Sequence, residues 1–260
     1  MSIIQVVLFD LGGTLLHYEQ PPENSFDALN ARALGALLDA AADAGTHVPD
    51  RELAIRAVGR MASAMEARAT RTQYANTAEV IIEDGLDAIG VKLPPKAWDA
   101  GLAAYYEVIS AVVKPVAGDA PAVLAQLAAQ GLGLGLVSNT FWTPALHDAD
   151  LSRFGLLDYL PARVYSCEFG MAKPHPSIYR HALDKLDVAP AEAVFVGDKL
   201  KVDVAGPQKM GMRAVLIRSP FRTESDPEIT PDATVETIAE LPALIATWDH
   251  ALEAQVASVW

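Results

Sequence analysis

Asp10 could do chemistry, because it is a single carboxylate that ends an apolar run near the start of the chain. Gly12, Gly13 and Thr14 follow it closely. A carboxylate at such a point can act as a nucleophile, as a metal ligand or as both. Glycines there allow a tight turn and a close approach of the backbone to a bound group. A strand that merely ends in a helix cap at Asp10 gives the same pattern, so this stretch alone leaves both interpretations open.

Three further polar positions lie downstream, at the ends of predicted strands or in a loop. Ser138 and Asp198 each follow an apolar run, and Lys173 lies in a segment that contains two prolines. Right-handed crossovers in a parallel sheet would bring these residues and Asp10 to one edge of the sheet. The sequence therefore predicts one site that is assembled from distant parts of the chain.

The elements that must position this site follow from the pattern of strands and helices. Apolar runs alternate with helical patterns after residue 114, which is typical of a parallel sheet covered by helices on both faces. We predict an α/β fold, with a Rossmann-like three-layer core formed by residues 1–17 and 114–260. The predicted strands are 3–9, 132–137, 163–166, 193–196 and 214–218, with an edge strand at 234–235. The predicted helices of the core are 121–130, 176–186, 202–210 and 242–256.

Residues 18–113 interrupt this core and contain no strand-like alternation. Four amphipathic or alanine-rich stretches predict helices there, and the breaks between them contain glycine or proline. These helices are 27–44, 51–69, 77–89 and 96–113. Linkers at 17–25 and 114–118 flank them. The sequence therefore predicts an inserted four-helix domain.

The composition limits the possible partners and location. The 260 residues are 51% hydrophobic and carry a net charge of −13, which disfavours nucleic acid and anionic membranes as partners. An anionic substrate would need a local positive site. Cys167 is the only cysteine, and we find no signal peptide and no run of roughly 18 apolar residues. We expect a cytoplasmic monomer or homodimer.

The motifs around Asp10, Ser138, Lys173 and Asp198 resemble, in the same order, those of the haloacid dehalogenase-like hydrolase superfamily. The resemblance runs from Ile4 to about residue 244 and is specific because four motifs occur together. The position of the helical insert is similar to that of the α-helical cap in one branch of the superfamily. The resemblance implies a catalytic core at 1–17 and 114–260 and a cap at 18–113.

The resemblance also implies a role for each polar residue in phosphoryl transfer. Asp10 would be the nucleophile that forms an aspartyl-phosphate, and Ser138 would donate a hydrogen bond to a phosphoryl oxygen. Lys173 would neutralise charge on both groups. Substrate binding would involve Gly13, Thr14, Asn139 and Lys173.

A magnesium ion is the cofactor that the resemblance implies. Asp10, the backbone carbonyl of Gly12 and Asp198 would bind Mg²⁺, and Asp203 would support them from behind. Hard oxygen ligands suit this ion, and phosphoryl transfer depends mainly on positioning and charge neutralisation. We therefore expect a Mg²⁺-dependent phosphatase that acts on a small phosphorylated molecule.

Gly12 departs from the pattern of the superfamily's phosphatases, which usually carry a second aspartate at this position. That aspartate protonates the leaving group and then activates water, and such help is typically worth about 10²–10⁴ in rate. We expect either weak activity, a preference for good leaving groups such as acyl or aryl phosphates, or a substitute donor. His17 is the nearest candidate donor in sequence.

Two alternatives remain open from the sequence. A 2-haloacid dehalogenase would use the same nucleophile on carbon without a metal, but members of that type lack the aspartate that corresponds to Asp198. A binding or regulatory protein on the same scaffold could also have lost the acid–base residue. A test of phosphate release and chloride release separates these functions.

Overall fold

The computed structural model describes residues 4–19, 26–219 and 225–248, and a parallel sheet lies at its centre. The strands are β1 Val6–Phe9, β2 Leu16–Tyr18, β3 Val113–Pro115, β4 Gly133–Ser138, β5 Ala162–Tyr165, β6 Ala193–Gly197, β7 Arg213–Ile217 and β8 Ala233–Val235. Six of these strands form one sheet in the order β5-β4-β1-β6-β7-β8. All of its neighbouring strands run parallel, which confirms the predicted α/β fold.

Strand β1 lies in the interior of this sheet, between β4 and β6, and its residues are apolar on both faces. All four of its residues are buried, as expected for a strand that is covered by helices on both sides. Phe9 lies in register with Leu136 of β4 and with Val196 of β6. The residues that follow these three strands therefore leave the sheet at the same edge.

The helices cover the sheet or pack against one another in the inserted segment. They are α1 Phe26–Asp43, α2 Arg51–Thr72, α3 Ala78–Asp87, α4 Pro95–Ala111, α5 Ala120–Ala129, α6 Pro144–Arg153, α7 Ser166–Phe169, α8 Pro176–Leu186 and α9 Gly206–Lys209. A π-helix spans Leu200–Ala205 directly before α9. Residues 241–248 are also helical, and the rest of the helix predicted at 242–256 lies outside the described residues.

The structure divides into two compact units. One contains the parallel sheet and consists of Met1–His17, Pro115–Asn139 and Leu151–Trp260, and the other consists of Tyr18–Lys114 and Thr140–Asp150. Strands β2 and β3 pair with each other in a separate two-stranded sheet. Part of the predicted linker, residues 20–25, lies outside the described residues.

Small residues allow the helices of the second unit to pack closely. A Cβ atom at Gly101 of α4 would lie 2.9 Å from Leu37 Cγ of α1, and one at Gly85 of α3 would lie 2.6 Å from Val58 Cα of α2. The carboxylate of Asp50 accepts a hydrogen bond from the Leu53 amide at 2.8 Å and so caps α2. The core of this unit is formed mainly by buried aliphatic side chains.

None of the helices in the described ranges 4–19, 26–219 and 225–248 has both the length and the apolar character needed to cross a membrane.

Candidate active site

The first acid of the site follows the central strand. Asp10 comes directly after β1, and its backbone N–H donates a hydrogen bond to the carbonyl of Val196 in the neighbouring strand β6 at 2.9 Å. Asp198 follows that strand. Both side chains are almost fully buried, with exposed fractions of 2% and 4%. Two carboxylates are thus held at the carboxyl edge of the sheet, where α/β proteins bind ligands.

Gly13 allows the turn after β1 to approach Asp198. Its φ is +93°, and a Cβ atom there would lie 2.2 Å from Asp198 Oδ2. No other residue fits this conformation and this contact without displacing the carboxylate. The turn is closed by hydrogen bonds from the amides of Leu15 and Leu16 to the carbonyl of Leu11.

Lys173 joins the site from the loop between α7 and α8. Its Nζ lies 2.7 Å from Asp10 Oδ1 and 2.8 Å from Oδ1 of Asp203 in the π-helix. The ammonium also lies 4.9 Å from the centre of the Phe195 ring. The three charged side chains are at most 2% exposed, so water screens their interaction weakly.

The charges of this trio shift the pKa values of all three groups. Burial favours the neutral form of Asp10, but the ammonium groups of Lys173 and Lys199 outweigh it and lower the pKa of Asp10. Burial favours the neutral form of Lys173, but the negative charges of Asp10 and Asp203 outweigh it and raise the pKa of the lysine. Burial dominates at Asp203, whose pKa is raised. Asp10 is therefore an ionised, buried carboxylate, which a nucleophile requires.

Oxygen atoms suited to a hard cation converge in the same place. Carboxylate oxygens of Asp10, Asp198 and Asp203 lie within 4.8 Å of one another, and all three residues are buried. Asp10 Oδ2 is buried and has no hydrogen-bond partner among the residues that the structure describes. These donors fit Mg²⁺, which prefers a few carboxylate oxygens.

The remaining predicted residues surround this centre. Ser138 ends β4 and is 4% exposed, while Thr14 is fully buried and its Oγ1 has no partner within the described ranges. Asn139 contacts the backbone of Lys173: the Lys173 amide donates to Asn139 Oδ1 at 2.7 Å, and Asn139 Nδ2 donates to the Lys173 carbonyl at 2.9 Å. The structure thus places Asn139 against the lysine loop.

Gly12 lies in open space beside the site. A Cβ atom there would meet no other atom within 4 Å, and its φ is outside the left-handed region. His17, the candidate donor, lies in β2. Lys199, whose charge lowers the pKa of Asp10, is a site residue that the sequence analysis misses. Its position next to Asp198 is the signal that could identify it.

A family model for haloacid dehalogenase-like hydrolases matches residues 4–211, which include all of these side chains. The chain belongs to this family. Membership makes it a hydrolase and accounts for the parallel sheet with a carboxylate at the end of its central strand.

Two similar family members are phosphatases. The chain is 28% identical to a glyceraldehyde 3-phosphate phosphatase of Methanopyrus kandleri over 252 residues, covering 92% of this chain and 96% of the relative. It is 38% identical to a phosphoserine phosphatase of Thermus thermophilus over 127 residues. The second match covers 49% of this chain and 50% of that relative, so the chain spans about half the length of that phosphatase.

Solved structures of the family have the same fold. A 2-haloacid dehalogenase from Pseudomonas syringae pv. Tomato is 25% identical with a TM-score of 0.64, and covers 94% of this chain and 99% of its own. A HAD phosphatase from Thermococcus onnurineus has a TM-score of 0.60 at 23% identity, and the match covers 93% of this chain and 98% of the phosphatase. Both hydrolase types are therefore built on this fold.

Proposed function

We propose that this hydrolase is a Mg²⁺-dependent phosphatase that acts on a small phosphorylated molecule through an aspartyl-phosphate. The observation that carries the proposal is the state of Asp10, whose Oδ1 is fixed by Lys173 while the buried Oδ2 has no partner among the described residues. A carboxylate with one fixed oxygen and one available oxygen suits attack on phosphorus. The full-length similarity to a glyceraldehyde 3-phosphate phosphatase supports a small phosphorylated substrate.

The residues divide the reaction between them. Asp10 Oδ2 forms a bond to phosphorus while the bond from phosphorus to the leaving oxygen breaks, and water then hydrolyses the acyl phosphate. Lys173 offsets negative charge on Asp10 and the phosphoryl group, and the hydroxyl of Ser138 donates to a phosphoryl oxygen. Gly13 and Thr14 contribute to phosphoryl binding.

The metal site would consist of Asp10, the Gly12 carbonyl and Asp198. Mg²⁺ bound there supplies positive charge that stabilises the transferring phosphoryl group. Asp203 accepts hydrogen bonds from Lys173 at 2.8 Å and from the Lys199 amide at 3.0 Å. Asp203 would therefore orient the side chain of Lys173 without binding the metal itself.

The glycine at position 12 limits which leaving groups depart readily. No side chain at that position protonates the leaving oxygen, so acyl and aryl phosphates, whose leaving groups need little protonation, are the favoured substrates. Alkyl phosphates such as phosphoserine would react slowly.

Phosphate release from defined substrates tests the proposal. Acetyl phosphate, p-nitrophenyl phosphate, glyceraldehyde 3-phosphate and phosphoserine would be compared with MgCl₂ and with EDTA. We expect release from the first two to be fastest, to require Mg²⁺ and to be lost in Asp10→Asn. Equal release in EDTA, or full activity of Asp10→Asn, would contradict the proposal.

A 2-haloacid dehalogenase is the second candidate, because the dehalogenase from Pseudomonas syringae has a TM-score of 0.64 to this chain. In that reaction Asp10 would attack carbon and displace chloride without a metal. Chloride release from 2-chloropropionate that persists in EDTA would favour this candidate. The buried Asp198 beside Asp10 favours the phosphatase instead.

We further propose that residues 18–113 are a cap that sets substrate choice and that residues 1–17 and 114–260 are the catalytic core. The two-unit division of the structure supports a separate helical domain. A cytoplasmic location and a monomeric or homodimeric state remain predictions.

A further inference from the structure

We propose that the side chain of Asn139 is a positioning group that acts through Lys173. Its side-chain amide accepts from the Lys173 N–H at 2.7 Å and donates to the Lys173 carbonyl at 2.9 Å. Because one end of the amide accepts and the other donates, both ends are fixed by the backbone of a single residue. The inference rests on the proposed function, since it assumes that Lys173 takes part in catalysis.

The lysine loop is held from two sides. On the helix side, the amide of His175 donates to the carbonyl of Ala172 at 2.9 Å, and His175 Nδ1 accepts from the amide of Ser177 at 3.3 Å and caps α8. On the sheet side, Asn139 follows β4 directly and binds the loop at Lys173 itself. The side chain of Asn139 thus fixes the lysine loop to the end of strand β4.

The lysine needs such precision because its ammonium must reach two carboxylates at once. Nζ lies 2.7 Å from Asp10 Oδ1 and 2.8 Å from Asp203 Oδ1, at the end of a flexible four-carbon chain. A shift of the loop would lengthen at least one of these contacts. Displacements of about 1 Å in a catalytic group can cost about 10²-fold in rate.

Kinetics of Asn139→Ala, Lys173→Met and the double variant test the proposal, with acetyl phosphate as substrate and saturating Mg²⁺. We expect Asn139→Ala to lower kcat by about 10- to 100-fold with little change in KM. In the Lys173→Met background it should cost less than about twofold more, because coupled residues are not additive. Gln208→Ala is the control, because the side-chain amide of Gln208 also donates two hydrogen bonds, to the Thr230 carbonyl at 2.9 Å and to Asp232 at 3.0 Å, but to none of the site residues. This variant should keep kcat within about twofold of the wild type.

Two kinetic results would overturn the proposal. Equal losses from Asn139→Ala with and without Lys173 would show that Asn139 acts independently of the lysine. A raised KM with unchanged kcat would show direct substrate binding.

A crystal structure of Asn139→Ala decides the case without activity, and also if Lys173→Met does not fold. Nζ of Lys173 should leave at least one of its two carboxylate partners, whereas retention of both contacts would overturn the proposal. Absence of phosphate release from every substrate by the wild type would refute the proposed function, but this structural test of Asn139 would still apply.

Discussion

At the level of single residues, the buried trio of Asp10, Lys173 and Asp203 combines stability with function. Removing one partner from a buried ion pair typically costs about 3–5 kcal/mol, because the remaining charge is left uncompensated in a low-dielectric environment. Two buried carboxylates, those of Asp10 and Asp203, each form an ion pair with the Lys173 ammonium. Of the three residues, Lys173 is therefore the one whose replacement should lower the stability of the protein most.

Lys173→Met should lower the free energy of unfolding by about 3–5 kcal/mol at neutral pH. Urea unfolding monitored by circular dichroism measures it. Lys96→Met is the matched control, because Lys96 is exposed on α4, and it should stay within about 0.5 kcal/mol of the wild type. A similar, small effect of both changes would show that the buried acids become protonated at little cost.

Gly12→Asp should raise the rate on alkyl phosphates by about 10-fold or more, because it supplies the proton donor that the site lacks. Gly12 has room for a Cβ atom, since one built there meets no other atom within 4 Å. The gain should be larger for phosphoserine than for acetyl phosphate, whose leaving group needs little protonation.

Gly118→Asp is the matched control for this change, because a Cβ atom at Gly118 also meets nothing within 4 Å. It adds the same charge at a position outside the four sequence motifs and should leave the ratio of the two rates unchanged. No gain for Gly12→Asp on phosphoserine would refute our explanation of the substrate preference.

Sequence patterns predicted the acids better than the contacts that orient them. Asp10 and Asp198 could be placed because each follows an apolar strand at the same edge of a parallel sheet. The pairing of Asn139 with the backbone of Lys173 could not, because it joins residues 34 positions apart in sequence through a loop with no regular period. The contribution of Lys199 to the pKa of Asp10 likewise depends on three-dimensional distance.

At the level of elements, the π-helix at Leu200–Ala205 is the feature that places Asp203. The hydroxyl of Tyr179 donates to the carbonyl of Val202 within it at 2.5 Å. A Cβ atom at Gly206, directly after it, would lie 2.3 Å from that hydroxyl and 3.2 Å from Pro174 Cβ. The absence of a side chain at this glycine thus lets the π-helix pack onto α8.

Gly206→Ala should therefore destabilise the protein by about 1–3 kcal/mol, as overpacking does in a filled core. Thermal unfolding measures the effect. Tyr179→Phe removes the hydroxyl that the new methyl group meets, so the double variant should lose less stability than the sum of the two single changes. Gly118→Ala, in open space, serves as the control.

Strictly additive losses in the Gly206 and Tyr179 variants would mean that the close approach is not the cause. An unchanged thermal transition for Gly206→Ala would mean that the π-helix adjusts freely.

Long periodic elements were predicted well from sequence, and short or irregular ones were not. The predicted bounds of α1–α5 and α8 agree with the structure within three residues. Strands β2 and β3 have three residues each, which is too short for a pattern of alternation to show. The helix predicted at 202–210 is a π-helix followed by α9, a distinction made by hydrogen bonding and not by hydrophobic spacing. Helix α6 was not predicted, because its few apolar residues are interrupted by aspartates.

At the level of the whole molecule, the two units differ in the buried ionisable groups that they contain. The sheet unit holds the charged trio, whereas the helical unit contains His147, which is 2% exposed. Burial lowers the pKa of His147 from its ordinary value of 6.5 to about 4, and the charge of Asp148 opposes this only in part. The imidazole is therefore neutral in the folded protein at pH 5.

Protonation of His147 should cost the folded protein about 2–3 kcal/mol of stability as the pH falls from 6.5 to 4. Over most of that range the unfolded chain binds a proton at this histidine and the folded protein does not, so acid favours unfolding. Trp142, whose ring centre lies 6.2 Å from that of His147, provides a fluorescence signal for urea unfolding. His147→Gln should remove most of this pH dependence, and an unchanged slope in the variant would contradict the assignment.

The overall architecture was predictable because the alternation of apolar runs with helical patterns extends over long stretches of the sequence. The packing of Thr140–Asp150 with Tyr18–Lys114 was not, since it depends on contacts between distant residues. One such contact is the hydrogen bond from Trp142 Nε1 to the Tyr105 hydroxyl at 3.1 Å. Nothing in the local sequence of either residue indicates the other.

The central position of β1 has a consequence for synthesis of the protein on the ribosome. This apolar strand is synthesised before both of its neighbours, β4 and β6, which are encoded far downstream. At about 5–20 residues per second, roughly 10–40 s pass before the second neighbour emerges. During that interval Val6–Phe9 lacks at least one of the two strands with which it pairs in the folded protein, so an apolar segment with unpaired backbone groups is open to pairing with other chains.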